Sequence, residues 1–339
     1  MILKVNGYTC KSLDEIRKVA SPLFSEFIEE WFSSENYILA HTSGSTGVPK
    51  PIYLDKKDAC HSARMTNEFF NINEQSRMLL CLSPNYIAGK MMIVRALLAN
   101  AEIVEETPSN QPLKDYAGAP FDFAAVVPSQ ALWLVQNPSV LAKIKTMIVG
   151  GGVVSDDLRK RIAESTVEAY STYGMTETCS HVALSKIDDQ LQPYSAMNGI
   201  SFKQDNRGCL VINATHFTQK QFVTNDIVDL ISPQEFVWRG RFDNVINSGG
   251  IKIFPEEEER LLNGIFDCRY YITSETSEKW GESVVLVLEK AELTDSEKEH
   301  ILYIIKDKLP KYSIPKRIVC INKFKETRSG KVIRSKVNY

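Results

Sequence analysis

Residues 42–50 read Thr42, Ser43, Gly44, Ser45, Thr46, Gly47, Val48, Pro49 and Lys50, which puts four hydroxyls, two glycines and a cation within nine positions. Glycine lets a backbone turn tightly and present its N–H groups. Hydroxyls add donors and Lys50 adds positive charge, so the loop suits a polyphosphate. It is not the nucleotide P-loop, in which Gly-Lys runs into Ser or Thr at a helix start, because Lys50 stands between Pro49 and Pro51. A Ser/Gly surface turn has the same composition. The loop therefore draws its meaning from other segments.

Three further segments carry chemistry. Thr172, Tyr173, Gly174, Met175, Thr176, Glu177 and Thr178 combine a flat aromatic face, a hydroxyl and a carboxylate around a glycine turn. Mg²⁺ takes one or two carboxylates together with phosphate oxygens, so this set suits a nucleotide with its metal, with Glu177 as the metal ligand. A Tyr-Gly turn with a solvated Glu is the alternative. Thr224, Asn225 and Asp226, with Arg241, place an Asp after a short strand, where a carboxylate can hold ribose hydroxyls. Such an Asp can also do no more than bond its own turn. Near the C-terminus, Ser329, Gly330 and Lys331 put a lysine on a glycine-containing loop, from which it can reach a distant site as a point charge. A solvated basic tail reads the same way.

The elements that position these residues alternate along the first two-thirds of the chain. Apolar runs at 37–40, 78–82, 101–104, 123–127, 146–149 and 167–170 predict strands, and 58–70, 89–98, 128–136 and 155–163 predict helices. That alternation predicts an α/β fold with layered, mostly parallel sheets and helices. Ligands in such sheets gather beyond the carboxyl ends of the strands, which is where 42–50, Gly150, Gly151 and Gly152, and 172–178 fall. The character changes near 241–244. Pro255 and the acids after it predict a helix start, followed by strands at 269–273, 283–288 and 317–321 and a helix at 297–309. The expected organisation is a large N-terminal domain, 1–240, a hinge, 241–244, and a small mobile α+β domain, 245–339.

Composition narrows the class. With 339 residues, 43% apolar, 24% charged and a formal net charge of −2, the chain is ordinary for a soluble globular protein, and nothing favours nucleic acid as a partner. Its seven cysteines are scattered with no Cys-x-x-Cys pair, which argues against a zinc site or a disulfide framework. No secretory signal and no span of transmembrane length is apparent. The expectation is a cytoplasmic protein without membrane insertion, with a homo-oligomer left open.

Taken in order, the segments resemble those of the adenylate-forming enzymes, which include acyl-CoA synthetases, luciferases and peptide-synthetase adenylation domains. The matched residues are 42–50, 172–178, 224–226, 240–243, Ser248, Gly249 and Gly250 with Pro255 and Glu256, and 329–331. The resemblance covers nearly all of the chain from residue 38 onward. It implies that Thr42, Ser43, Ser45, Thr46 and Lys50 hold the β,γ-phosphates of ATP. Gly150, Gly151, Gly152 and Tyr173 would flank adenine, Thr176 would contact the α-phosphate, and Glu177 would bind Mg²⁺. Asp226 and Arg241 would hold ribose, and Asp243 would be the hinge. Lys331 would bridge the attacking carboxylate and the α-phosphate. Gly249 and Gly250 would line the entry of the second substrate's thiol, expected to be coenzyme A.

Residues 83–97 are similar to the corresponding segment of o-succinylbenzoate–CoA ligases of menaquinone biosynthesis, and 127–130 to another. The resemblance implies a small carboxylic acid substrate and places Tyr86, Lys90, Arg95 and Ser129 at the acyl pocket. Arg95 or Lys90 would pair with the carboxylate that is not activated, since Arg matches carboxylates through its bidentate fork. A partly exposed helix residue with an unrelated acidic partner is the other account of Arg95. The chain departs from the family in three ways. About forty residues precede the phosphate loop, so the acyl pocket is expected to be more open or closed by a partner chain. Tyr86 stands where histidine is common, and Asn225 where glycine is usual. A carrier-loading adenylation enzyme and a non-catalytic nucleotide-binding protein are the competing readings.

Overall fold

A computed structural model describes residues 2–41, 51–326 and 332–336. The segment 42–50 and Lys331, both singled out above, lie outside the described residues. In chain order the first part contains β1 (Leu3–Val5), β2 (Tyr8–Cys10), α1 (Leu13–Val19), α2 (Pro22–Phe32), β3 (Tyr37–His41), β4 (Pro51–Asp55), α3 (Lys56–Phe69), β5 (Arg77–Leu80), α4 (Ile87–Ala99), β6 (Glu102–Glu105) and β7 (Phe121–Val126). There follow α5 (Pro128–Gln136), α6 (Pro138–Leu141), β8 (Ile144–Val149), α7 (Asp156–Ala163), β9 (Glu168–Gly174), β10 (His181–Lys186), β11 (Tyr194–Ala196), β12 (Ile200–Gln204), β13 (Cys209–Ala214), β14 (Gln221–Ser232) and β15 (Glu235–Arg241).

Apart from β3 and β4, these strands form one thirteen-stranded sheet in the order β12-β13-β14-β15-β11-β10-β9-β8-β7-β5-β6-β1-β2. The expected parallel pairing holds from β1 through β6, β5, β7 and β8 to β9. Both faces of this part are covered, so β7 and β8 are near-continuous apolar runs rather than alternating ones. On one face Met78, Leu80, Phe123, Ala125 and Ile148 pack with α2, α3 and α4; on the other, Leu79, Ala124, Val126, Met147 and Val149 pack with α5, α6 and α7. From β9 to β12 every pairing is antiparallel, so parallel pairing describes only part of the sheet. The cause is local: after Gly174 the chain returns through turns, and parallel strands need a crossover of a dozen or more residues. The strand expected at 37–40 also sits differently, pairing with β4 alone in a separate two-stranded sheet.

Beyond Arg241 come β16 (Ile246–Ser248), β17 (Ile251–Ile253), α8 (Pro255–Leu261), β18 (Tyr270–Ser277), β19 (Gly281–Glu289), α9 (Asp295–Lys306) and β20 (Arg317–Ile321). They build a second sheet, β17-β16-β19-β18, with β20 parallel to β19. This sheet has its own apolar core of Ile246, Ile253, Leu262, Ile272, Leu286 and Ile305, among others. Helix α8 opens on Pro255 at its first position with acids in its first turn, an arrangement that suits the helix dipole. Among the described residues, Arg239 meets Glu257 at 2.9 Å and Arg260 meets Asp156 at 2.9 Å across to the first part, and Asn244 of the connecting turn reaches Glu256 at 2.5 Å.

Candidate active site

Asp226 and Arg241 are register partners across β14 and β15, so their side chains share a face. The Arg241 Nη1 lies 3.4 Å from Asp226 Oδ1. Two more donors converge on the same carboxylate. The Tyr173 hydroxyl donates to Oδ2 at 2.8 Å, and the indole N–H of Trp238 donates to Oδ1 at 3.1 Å. Three strands intervene between β9 and β14, so a flat sheet would hold them roughly 19 Å apart at its usual strand spacing. The hydrogen bond shows that the sheet curls until the two edges of the site face each other. The Tyr173 ring is held edge-on against Phe236, centroids 5.0 Å apart, and tilted on Tyr194. Burial, then the charge and hydrogen bond of Asp226, push the Tyr173 hydroxyl well above its ordinary range. It therefore stays a donor. A carboxylate fixed by three donors keeps lone pairs for hydroxyls of a ligand. Trp238 was not legible as part of this set, because a Trp in a strand reads as core.

The ends of β8 and β9 approach closely beside this carboxylate. A Cβ on Gly150 would lie 2.5 Å from Thr172 Oγ1, so a larger residue there would have to displace that hydroxyl. Gly151 follows with φ +79°. One turn further, a Cβ on Gly174 would lie 2.3 Å from the Ser180 carbonyl oxygen. Thr176 and Glu177 stand on a short 3₁₀ turn at the carboxyl end of β9, partly buried. Thr178 holds that turn: it accepts from the Met175 N–H at 3.0 Å and donates to the Ser180 carbonyl at 2.8 Å. Asp243 is exposed and accepts from Asn225 Nδ2 at 3.2 Å, and Arg241 Nη2 lies 3.6 Å from it. Gly249 and Gly250, both with positive φ, make the turn between β16 and β17, with Trp280 beside Gly249. Among the described residues no three His, Cys, Asp or Glu side chains cluster as a metal cage.

The four residues expected at the acyl pocket fare differently. Lys90 and Arg95 both lie on α4, whose stretch from Gly89 to Ala96 is buried throughout. Lys90 has an acidic partner within the chain. Its ammonium contacts Glu30 Oε2 at 2.5 Å and the Leu39 carbonyl at 2.8 Å, and Glu30 also accepts from the Leu39 N–H at 2.5 Å. The pair therefore anchors β3 to α2 and α4, and its charge is already matched. Arg95 is 1% exposed, so a partly solvated helix residue is ruled out. It has no carboxylate partner among the described residues. Its Nη2 donates to Ser180 Oγ at 2.6 Å, its Nη1 lies 3.5 Å from Met92 Sδ, and its Nε has no partner. Tyr86 precedes α4 and is exposed. Ser129, in the first turn of α5, donates to Asn110 Oδ1 at 3.1 Å. One open cleft of about 460 Å³ borders Asn71, Gln75, Asp122, Lys145 and Glu168. It lies at the amino ends of β5, β7, β8 and β9, opposite the edge where such sheets bind ligands.

The profile of AMP-binding enzymes matches residues 10–204, more than half of the chain. The chain belongs to the AMP-binding enzyme family. A solved acyl-CoA synthetase (AMP-forming)/AMP-acid ligase II-like protein from Dyadobacter fermentans is 32% identical, with a TM-score of 0.64 over 94% of this chain and 95% of that one. A 2-succinylbenzoate–CoA ligase from Enterococcus faecalis is 27% identical over 87% of this chain and 68% of its own length. One from Listeria monocytogenes is 24% identical over 92% and 72%. The o-succinylbenzoate CoA synthetase of Bacillus subtilis, solved with its acyl-adenylate intermediate, shares the fold at 19% identity, with a TM-score of 0.74 over 87% of this chain and 67% of that one. Among the described residues of this chain, no helix is long and apolar enough to cross a membrane.

Proposed function

We propose that this enzyme activates o-succinylbenzoate (2-succinylbenzoate) with ATP and transfers the acyl group to coenzyme A. In the first step a carboxylate oxygen of the acid attacks the α-phosphorus of ATP, the bond to pyrophosphate breaks, and acyl-AMP forms. In the second the sulfur of coenzyme A attacks the acyl carbon, AMP leaves, and the thiol proton passes to solvent. Asp226, held by Tyr173, Trp238 and Arg241, takes the ribose hydroxyls. Gly150, Gly151 and Gly152 take the adenine edge with Tyr173. Glu177 offers a hard oxygen to Mg²⁺, which neutralises phosphate charge when bound and needs few protein ligands beside phosphate. Thr42, Ser43, Ser45, Thr46 and Lys50 hold the β,γ-phosphates, and Lys331 the attacking carboxylate, on their sequence positions alone. The residues beyond 244 form the part that moves between the two steps, with Asp243 at the hinge and Gly249 and Gly250 beside the thiol.

Arg95 carries the choice of acid. A buried cation without an anion is costly, and a diacid brings one: one carboxylate reacts and the other pairs. The curated relatives' names support the same acid. The test is exchange of labelled pyrophosphate into ATP across a panel of acids, followed by detection of the coenzyme A thioester. Exchange should be strongest with o-succinylbenzoate. Exchange with benzoate or acetate but none with o-succinylbenzoate overturns the acid, and ATP binding without exchange for any acid overturns the activity.

A further inference from the structure

A chain of hydrogen bonds runs from Arg95 into the core; the arginine end has a fixed direction, and the tautomer of His181 sets the rest. A guanidinium only donates, so at 2.6 Å the Ser180 Oγ accepts from Arg95 Nη2. The single proton of Ser180 must then point elsewhere. His181 Nδ1 lies 3.2 Å from it and accepts that proton when the imidazole is neutral with its hydrogen on Nε2. In a neutral imidazole the other nitrogen carries the hydrogen. His181 Nε2 lies 3.1 Å from Thr66 Oγ1, so it donates there. Thr66 in turn donates to the Ser62 carbonyl at 3.1 Å. From α3, Asn67 Nδ2 also donates to the Arg95 carbonyl at 3.0 Å. The guanidinium is thus held directly by Ser180, in the turn before β10, and His181 and Thr66 act on it through that serine, while Nε stays without a partner.

We propose that His181, as the neutral tautomer protonated on Nε2, is the positioning residue that orients Ser180 and through it Arg95 toward the unreacted carboxylate of the acid. The inference rests on the acid assignment above and assigns His181 a role in selectivity rather than in the chemical steps. A protonated His181 would point a second N–H at Ser180 and leave the serine proton without an acceptor. It would also bury two cations together, with no acid among the described residues paired to either: Arg95 faces it from α4, and α3 offers the Thr66 hydroxyl. Burial and the Arg95 charge both hold the imidazole well below its ordinary pKa.

The test compares o-succinylbenzoate with β-benzoylpropionate, the same acid without its ring carboxylate, in the full-length enzyme. His181→Phe removes both hydrogen bonds, whereas His181→Asn keeps an acceptor near Nδ1. His181→Phe should raise KM for the diacid about tenfold or more, the size of one charge-assisted hydrogen bond, and leave kcat/KM for the mono-acid nearly unchanged. His181→Asn should recover most of the loss. Nitrogen-15 NMR of labelled histidine should show one ring with Nε2 protonated and Nδ1 bare, and should read the tautomer independently of whether His181→Phe folds. Equal losses for both acids, or a protonated Nδ1, overturn the proposal. Arg95→Ala separates the two ideas. If it lowers diacid turnover selectively while the His181 variants do not, the relay fails and the acid reading stands. If Arg95→Ala affects both acids alike, the acid reading fails and the relay with it.

Discussion

The buried imidazole of His181 predicts a specific pH dependence of stability. His181 is 4% exposed and its folded pKa is well below the ordinary 6.5, first by burial and then by the Arg95 charge. The unfolded chain binds a proton at about pH 6.5 that the folded chain does not. Folding is therefore unaffected by this group above that pH and loses stability as pH falls below it, until the folded pKa is reached. For one such group the loss between about pH 7.5 and about pH 5.5 is about 1.4 kcal/mol. Arg95, lowered to about 9, stays charged across that window and does not contribute. The measurement is urea unfolding of the wild type and His181→Asn at both pH values, following the transition of the large sheet. The variant starts from a lower stability, but all other titrating groups are shared, so the difference between the two pH slopes isolates His181. The wild type should lose about 1.4 kcal/mol more than the variant over this interval. Arg95→Ala should shrink that difference, since it removes the second cause of the shift. Parallel pH profiles would mean that His181 titrates normally when folded, and would refute the burial and tautomer argument together.

Trp238→Phe keeps the ring packing but removes one of three donors to Asp226, so KM for ATP in pyrophosphate exchange should rise about tenfold with little change in the thermal midpoint. An unchanged KM would remove Asp226 from the nucleotide site. Lys331→Ala should abolish acyl-AMP formation yet leave thioester formation from supplied acyl-AMP largely intact, read in two separate half-reaction assays; equal loss of both would contradict a moving small domain. Helix α4 offers an internal control for charge. Lys90→Met strands Glu30, which is only partly exposed, and should lower stability by about 2 kcal/mol, whereas Arg95→Met removes a cation without a counter-ion and should leave stability equal or higher while diacid selectivity is lost. Urea midpoints decide it: an Arg95→Met loss as large as that of Lys90→Met would mean that the chain itself satisfies the arginine.

The parallel half of the large sheet was legible because its strands are apolar on both faces and its helices punctuated by Pro, Ser and Gly. Helix α5 and strand β20 fall where the sequence predicts them, and β7 and β8 within two residues. The region from His181 to Arg241 was not. Its strands return through turns rather than helical crossovers, so their pairing order, with β11 between β10 and β15, depends on distant partners. The same holds at the other edge, where β1 slots in parallel beside β6, nearly a hundred residues later in the chain. The candidate site divides similarly. Glycines forced by close backbone approach, such as Gly174, mark themselves locally. Lys90 misleads, because its partner Glu30 lies sixty residues earlier on another helix. Ser180, His181 and Thr66 were passed over, although a histidine three residues after the 172–178 segment was a signal that could have drawn attention.

Lys90 and Arg95 sharpen what a buried charge means. They share one helix, both are buried, and both looked equally suited to a substrate carboxylate. A buried charge is tolerated when something offsets it, and offsetting is a property of the whole fold rather than of a local segment. For Lys90 the fold supplies a carboxylate, a carbonyl and the Phe27 ring 5.0 Å away. For Arg95 the fold supplies a hydroxyl and a thioether, both weak answers to a full charge, and spends an imidazole on aligning the hydroxyl. A chain that only needed to fill this position could have used leucine, as α4 does elsewhere. The effort of holding a cation in place without neutralising it makes sense when the anion arrives with the substrate.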